Sequence, residues 1–291
     1  MKALITGANG QLGQCLQRTA PKSYVLDMRT HAELDLAQPE QVAAQVASSG
    51  ANVVINAAAY TAVDRAETDS EQAYAINAKG VEALAEGCRQ SNATLIHVST
   101  DYVFDGQAVT AYETGAATNP VSVYGASKLA GEQVLVGTTN LDWAIVRTSW
   151  VYAPWGKNFV LTMLRLMRER GQVSVVCDQI GTPTSALYLA RFLWQIVTLP
   201  SARGVLHYTD SGVASWFDFA VAISEEAATA GLLPQPAVVK PITTAEFPTP
   251  AKRPALSILA TKSTMAATSF EQPHWRTALR EVIKEIGSNK T

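Results

Sequence analysis

Lys2 to Thr6 is a short apolar run that ends in Gly7-Ala-Asn-Gly10-Gln-Leu-Gly13 and passes directly into a helical stretch. No other feature narrows the fold as far. A strand, a glycine turn and a helix in that order open a parallel α/β sheet that binds a dinucleotide. Gly7 permits the tight turn, Gly10 the close approach of a pyrophosphate, and Gly13 the packing of helix on strand. Gln11 and Leu12 begin that helix, whose N-terminal amides favour phosphate charge.

The rest of the chain alternates strands and helices, which predicts βαβ units and a largely parallel sheet. Tyr24 to Asp27 reads as the second strand. Asp27 stands 20 residues after Gly7, the interval expected of an acid that bonds a ribose. Arg29 follows, suited to a 2′-phosphate instead. Asp35 and Leu36, ahead of a helix from Pro39, are further candidates near the adenosine. Asn52 to Ala59 is apolar without alternation, as a strand buried on both faces requires. It ends in Ala57, Ala58 and Ala59, small enough to let a cofactor pass close by. Residues 69 to 92 carry a long helical pattern. Thr94 to Thr100 is the fourth strand, and its carboxyl end delivers Ser99, Thr100, Asp101 and Tyr102 where doubly wound sheets bind ligands. Alternation sends Ser99 and Thr100 to opposite faces. His97, inside the strand, reads as a core residue.

Ser122-Val-Tyr-Gly-Ala-Ser-Lys-Leu-Ala-Gly-Glu132 then enters a helix, with Tyr124 and Lys128 one turn apart on one face. An ammonium beside a phenol favours the phenolate and lowers its pKa from near 10. Such a pair is an acid/base group usable near neutral pH. Trp143 to Thr148 is the fifth strand. Beyond Ser149 the regularity loosens, with Trp150, Tyr152, Pro154 and Trp155 crowded ahead of a helical run from Asn158 to Arg170. Val173 to Val176 reads as a strand, followed by the loop Asp178 to Thr184. A helix near 186–198 and a strand at Val205 to Tyr208 return to the main sheet. The expected fold is a Rossmann-like, doubly wound parallel sheet with a smaller, mixed C-terminal substrate-binding domain. Residues 1–148 and 186–209 would form the dinucleotide-binding domain, and 149–185 with 210–291 the substrate domain.

Charge excludes several classes of partner. The net charge is −2, with acids and bases interspersed and 16% of residues charged. Nothing resembles the basic stripe of a nucleic-acid binder or a polybasic membrane tail. The N-terminal apolar run is too short for a signal peptide, and no segment approaches the ~20 apolar residues of a membrane span. Cys15, Cys88 and Cys177 form neither a zinc spacing nor a disulfide framework, so a reducing cytoplasm is expected.

Glycine turn, Ser/Thr at the end of strand four and Tyr-x-x-x-Lys on the next helix together resemble the extended short-chain dehydrogenase/reductases, whose glycine pattern is Gly-x-x-Gly-x-x-Gly. Ser99-Thr-Asp-Tyr-Val-Phe-Asp105, Arg147-Thr-Ser-Trp-Val-Tyr152, Asp178-Gln-x-Gly-x-Pro-Thr184 and Thr249-Pro-Ala-Lys-Arg-Pro254 narrow this. They look like the dTDP-4-dehydrorhamnose reductase family, over residues 1 to about 285. The resemblance implies reduction of a C4 keto group by NADPH or NADH, the last step of dTDP-L-rhamnose biosynthesis. Tyr124 would donate the proton, and Lys128 would depress the tyrosine pKa and bind the nicotinamide ribose. Thr100 would hold the substrate oxygen, with Ser99 as fallback. Asp101, Tyr102 and Trp150 would shape the sugar pocket, and Asn158 and Arg253 would lie near the nucleotide diphosphate. Some members carry an acidic residue after the glycine turn, tied to a metal-bridged dimer. Here Gln14 and Cys15 follow, so no metal is expected, and the chain would act as a monomer or homodimer. Two other readings stay open: a nucleotide-sugar epimerase or dehydratase of the same fold, and a non-catalytic regulatory subunit like that of methionine adenosyltransferase.

Overall fold

A computed structural model of the protein describes residues 1–288. Six parallel strands form the central sheet: β1 (Lys2–Thr6), β2 (Val25–Arg29), β3 (Val53–Asn56), β4 (Thr94–Thr100), β5 (Trp143–Thr148) and β10 (Gly204–His207). Between β5 and β10 lie the short β6 (Val151–Tyr152), β7 (Gln172–Val176), β8 (Ile180–Gly181) and β9 (Thr184–Ser185). The spatial order is β10-β5-β4-β3-β1-β2, so the direction of winding reverses between β1 and β3. Ligands of such sheets bind outside the carboxyl ends of the strands at that reversal. Gly7 and Ala57 follow the two strands at that reversal, and Thr100 ends the next strand, β4.

Strand alternation distributes the core over both faces. Ile5, Ile55, Ile96 and Val146 pack under the helices Gln11–Thr19 and Ala186–Val197. Their neighbours Leu4, Val54, Leu95 and Ile145 pack under Pro39–Ser48 and Gly80–Ser91. A separate apolar cluster joins Phe159–Arg170, Trp216–Thr229 and Trp275–Ser288 around Phe219, Leu164 and Ile283. It is covered on one side by β7, which pairs in parallel with β12 (Val238–Ile242), while β8 pairs with β11 (Ala214–Ser215). The second cluster borders the carboxyl ends of the main sheet through β6 and β9, which pair with each other.

Two elements differ from the sequence expectation. The third strand ends at Asn56, so the three alanines after it are loop. The long helix from Ser70 contains a π turn over Ala75–Lys79. Such a widened turn is a local insertion that sequence periodicity does not register.

Candidate active site

The glycine turn is built as its spacing requires. Gly7 has φ +66°, and a Cβ there would sit 2.9 Å from the Ala57 carbonyl oxygen, at the tip of β3. A Cβ on Gly13 would come within 2.3 Å of the Gly7 carbonyl, so any side chain would push the helix off the turn. The Gly10 amide donates to the Gly7 carbonyl at 2.8 Å, closing the turn under the first amides of Gln11–Thr19. Leu12 is buried beneath. Asp27 and Arg29 at the end of β2 face each other, with Arg29 Nε 2.5 Å and Nη2 3.2 Å from the carboxylate. Lys2 Nζ lies 3.0 Å from the same acid. The Arg29 guanidinium, together with Lys2, holds Asp27 below the usual carboxylate range against the opposing effect of burial. Asp35 accepts from the Ala37 amide, while Leu36 is buried where Gly80 approaches its carbonyl. Ala58 donates its amide to Thr6 and Asn56, and Ala59 follows in the same loop. The glycine cradle, the helix amides and the acid–base pair at the end of β2 fit a dinucleotide.

The helix Val123–Gly137 starts where Ser122 Oγ accepts from the Gly125 amide. Two glycines let it press close to its neighbours. A Cβ on Gly125 would meet the Tyr102 carbonyl at 2.2 Å, and one on Gly131 the Asn77 carbonyl at 2.1 Å. That approach brings Tyr124 onto the end of β4, its ring edge-on to Tyr102 with centroids 5.6 Å apart. Thr100 Oγ1 donates to Asp101 Oδ1 at 3.0 Å and accepts from the Tyr102 amide. It also acts on the Tyr124 phenol. Ser99 points the other way and donates to Glu132 at 2.5 Å. The choice between the two hydroxyls thus follows strand alternation, with Thr100 on the tyrosine side.

The electrostatics depart from the expectation for Tyr124 and Lys128. Burial pushes the Tyr124 phenol up to about 12, and the Thr100 hydroxyl offsets only part of that. The phenol is therefore raised, not lowered. Lys128 is 2% exposed. Its Nζ is turned to β4, donating to the Val98 carbonyl at 2.7 Å and lying 3.2 Å from His97 Nε2. Burial brings the lysine down to about 8, opposed by the Glu132 carboxylate. The reason is desolvation: spacing places the pair on one face, and burial then disfavours the charged form of each group. Asp101 is likewise raised to about 6 by burial, against hydrogen bonds from Ser257, Thr100 and nearby amides.

The candidate substrate residues divide. Trp150 has φ +47°, a left-handed conformation that a bulky residue seldom adopts. Its indole stacks on Trp216 at 3.5 Å and 9°, and lies so close to Gly181 that a Cβ there would be 2.7 Å away. Arg253 is anchored by Asp64 at 2.8 Å and by the Thr249 hydroxyl, and it lies beside the Tyr102 phenol. Asn158 is committed to structure. Its Oδ1 caps Phe159–Arg170 at the Leu161 amide, and its Nδ2 donates to Gln11 Oε1 and to the Ala153 and Trp155 carbonyls. It ties the helix of the glycine turn to the loop after β6.

Several residues of the site were not singled out from the sequence. Trp216, the stacking partner of Trp150, lies in an ordinary amphipathic helix. Glu132 and Arg147 form a buried ion pair at 2.6 Å beneath Ser99; an acid in a helix and a base in a strand give no sign in sequence that they meet. Asn77, in the π turn, bonds the Tyr60 backbone twice and Ser127 Oγ. A lone Asn in an otherwise helical run was the available signal.

A family described as RmlD substrate binding domain matches residues 1–288. The chain is 41% identical over 288 residues to a dTDP-4-dehydrorhamnose reductase of Aggregatibacter actinomycetemcomitans, covering 97% of this chain and 98% of the relative. Among solved structures it is similar to a dTDP-4-dehydrorhamnose reductase from Clostridium acetobutylicum, with 39% identity and a TM-score of 0.92 over 98% of this chain and 99% of that one. A dTDP-4-dehydrorhamnose reductase from Bacillus anthracis in complex with NADP has 37% identity and a TM-score of 0.91, over 98% of this chain and 99% of that one. With its glycine cradle at the sheet reversal, its Thr100 and Tyr124 at the end of β4 and its full-length match, the chain belongs to the RmlD family, alongside these dTDP-4-dehydrorhamnose reductases.

Proposed function

We propose that the protein reduces the C4 keto group of dTDP-4-dehydro-L-rhamnose, giving dTDP-L-rhamnose, with NADPH or NADH as reductant. The observation that carries this reading is the convergence of the Thr100 hydroxyl and the Tyr124 phenol at the end of β4, next to the glycine cradle. Bound nicotinamide would supply a hydride. Gly7, Gly10, Gln11 and the Ala57–Ala59 loop would hold the cofactor, with Asp27 and Arg29 at its adenosine end and Lys128 at the ribose.

The residues of the chain then have separable tasks. Tyr124, with its phenol held protonated by burial, gives its proton to the substrate oxygen as negative charge develops there. Thr100 positions that oxygen, and Asp101 orients the threonine hydroxyl. The Trp150–Trp216 stack supplies an apolar wall for the methyl side of a 6-deoxy sugar. Arg253 offers a cation suited to a diphosphate. Residues 1–148 and 186–209 would form the dinucleotide part and 149–185 with 210–291 the substrate part; the separate apolar cluster around Phe219, drawn wholly from the latter segments, supports this division. Among the described residues no helix is long and apolar enough to cross a membrane. We place the protein in the cytoplasm, as a monomer or homodimer.

The test is loss of the reduced-nicotinamide absorbance with dTDP-4-dehydro-L-rhamnose, and with the free keto sugar in parallel. The nucleotide sugar should react much faster, because binding energy at the diphosphate positions the carbonyl. Arg253→Ala should weaken the nucleotide sugar and leave the slow reaction of the free sugar nearly unchanged. Equal rates for the two sugars would overturn the substrate class and the role of Arg253.

A further inference from the structure

One ion pair joins the segment after β3 to the Pro-rich tail. Asp64 lies in the short helix Val63–Ala66, which follows the Ala57–Ala59 loop. Its Oδ2 accepts from Arg253 Nη2 at 2.8 Å, and its Oδ1 accepts from the Ala251 amide at 3.3 Å. A carboxylate that takes a side chain and a backbone amide of the same segment is a clasp, fixed in orientation as well as in distance. Arg253 Nη1 is turned to its own loop, donating to the Thr249 hydroxyl and to the Ala251 carbonyl at 3.3 Å. Three of the five N–H groups of the guanidinium are engaged by these contacts. The Tyr102 phenol lies beside it, and a donor remains for an outside oxyanion. The backbone beyond Arg253 is held separately. Gly106, with φ +80°, packs so closely on Pro254 and Ala255 that a Cβ there would lie 2.6 Å from the Ala255 nitrogen. The Ala255 carbonyl accepts from the Ile180 amide, and the Ser257 amide donates to the Ile180 carbonyl, both at 2.8 Å. Loss of Asp64 therefore releases the Arg253 side chain and leaves the course of the chain in place.

We propose that Asp64 is a positioning residue for the substrate diphosphate: it holds the Arg253 guanidinium in its binding geometry while the site is empty. This rests on the reading of Arg253 as the diphosphate contact. The side chains of Arg253 and Asp64 are 22% and 42% exposed, so solvent screens the pair and its direct contribution to stability is small. Its effect is on freedom of motion. An unrestrained arginine samples many rotamers and loses them when it closes on a ligand. An arginine already held by Asp64, Thr249 and Ala251 has lost them on folding. The hydrogen bond from Arg253 keeps the Asp64 carboxyl below its ordinary range, and the Ala251 amide acts in the same direction against burial, so the clasp is ionised at neutral pH. The opposite arrangement, in which the carboxylate stands where the diphosphate goes, predicts the opposite sign for its removal. The second contact, to the Ala251 amide, favours the clasp, because a stand-in anion has no need to grip the backbone.

The deciding measurement is calorimetric titration of dTDP into the full-length protein, as wild type, Asp64→Ala, Arg253→Ala and the double variant. Arg253→Ala should weaken dTDP about tenfold or more, the loss of a hydrogen bond to a charged group. Asp64→Ala should weaken it about three- to tenfold, the effect of ordering one long side chain on binding. The double variant should bind no more weakly than Arg253→Ala, because the effect of Asp64 passes through that guanidinium. In Asp64→Ala the NADPH affinity and the slow reaction of the free keto sugar should stay at their wild-type values, which a general loss of structure would not allow. Asp64→Asn keeps one acceptor on the segment; it should fall between wild type and Asp64→Ala, and it serves where the alanine variant does not fold. Unchanged or tighter dTDP binding in Asp64→Ala, or a double variant weakened by the product of the two single effects, overturns the proposal and leaves Arg253 at the diphosphate. Unchanged dTDP binding in Arg253→Ala overturns the reading of Arg253, and the role of Asp64 with it.

Discussion

At the scale of single residues, the account turns on a phenol that burial keeps protonated. Tyr124→Phe removes the proton donor and keeps the ring, including its edge-on contact with Tyr102. Binding of NADPH and substrate should survive, while kcat falls by about 10²–10⁴, the usual contribution of a general acid. Steady-state kinetics check this, and a kcat within about threefold of wild type contradicts the role. How far such residues are legible in sequence differs from case to case. Tyr124 and Lys128 were legible as a pair because helical spacing puts them on one face, whereas alternation said only that Ser99 and Thr100 diverge and left open which faces the tyrosine. The charge states were not legible, since a pKa depends on desolvation by residues distant in the chain. Spacing alone predicts a lowered tyrosine, and the folded protein has a raised one. The hydrogen bonds of Asn158 to Gln11, Ala153, Trp155 and Leu161 were likewise not legible, since they depend on how distant segments meet.

At the scale of elements, the helix Val123–Gly137 is placed by what its glycines omit. Gly131 faces the Asn77 carbonyl inside the π turn, whereas Gly137, at the end of the same helix, faces open space. The same substitution should therefore have opposite signs at the two positions. Gly131→Ala forces the helix off the π turn and should cost about 1–3 kcal/mol or more, as overpacking does. It should also lower kcat by shifting Tyr124. Gly137→Ala should be neutral or stabilising by up to about 1 kcal/mol, through the unfolded chain. Denaturant unfolding of both variants checks the pair, and equal destabilisation would mean that close approach does not set the helix. The strands and helices around this contact follow from periodicity and turn chemistry, so their order was legible. The π turn was not, because a single widened turn is too short to set a periodicity of its own. Nor was the pairing of β7 with the distant β12, which depends on a long connection returning to the same edge.

At the scale of the whole molecule, the two apolar clusters meet near Asp210, 1% exposed, whose Oδ2 accepts from the Ser185 amide at the end of β9. Burial raises this carboxyl to about 8, against the amide and Tyr208 hydrogen bonds that lower it. The folded protein thus holds the proton more tightly than the unfolded chain, in which the group titrates near 3.8. Its contribution to stability is complete below the unfolded value, declines as pH rises, and is lost through the folded value near 8. Asp210→Asn, which keeps an acceptor for Ser185 and carries no charge, should match the wild-type Tm near pH 4, where the unfolded chain begins to ionise, and exceed it increasingly towards about pH 9. Parallel melting curves check this; a variant that is less stable by the same amount at both pH values would contradict it.

The central claim is hydride delivery to C4 of a nucleotide-linked keto sugar, with the proton taken from Tyr124. NADPH deuterated on its transferring face tests it most directly, with the position of the label in the product read by NMR. The account predicts one deuterium at C4 of dTDP-L-rhamnose, with one equivalent of NADP formed per product. Label absent from C4, or a product formed without net consumption of NADPH, would contradict it and leave an epimerase or dehydratase on this fold.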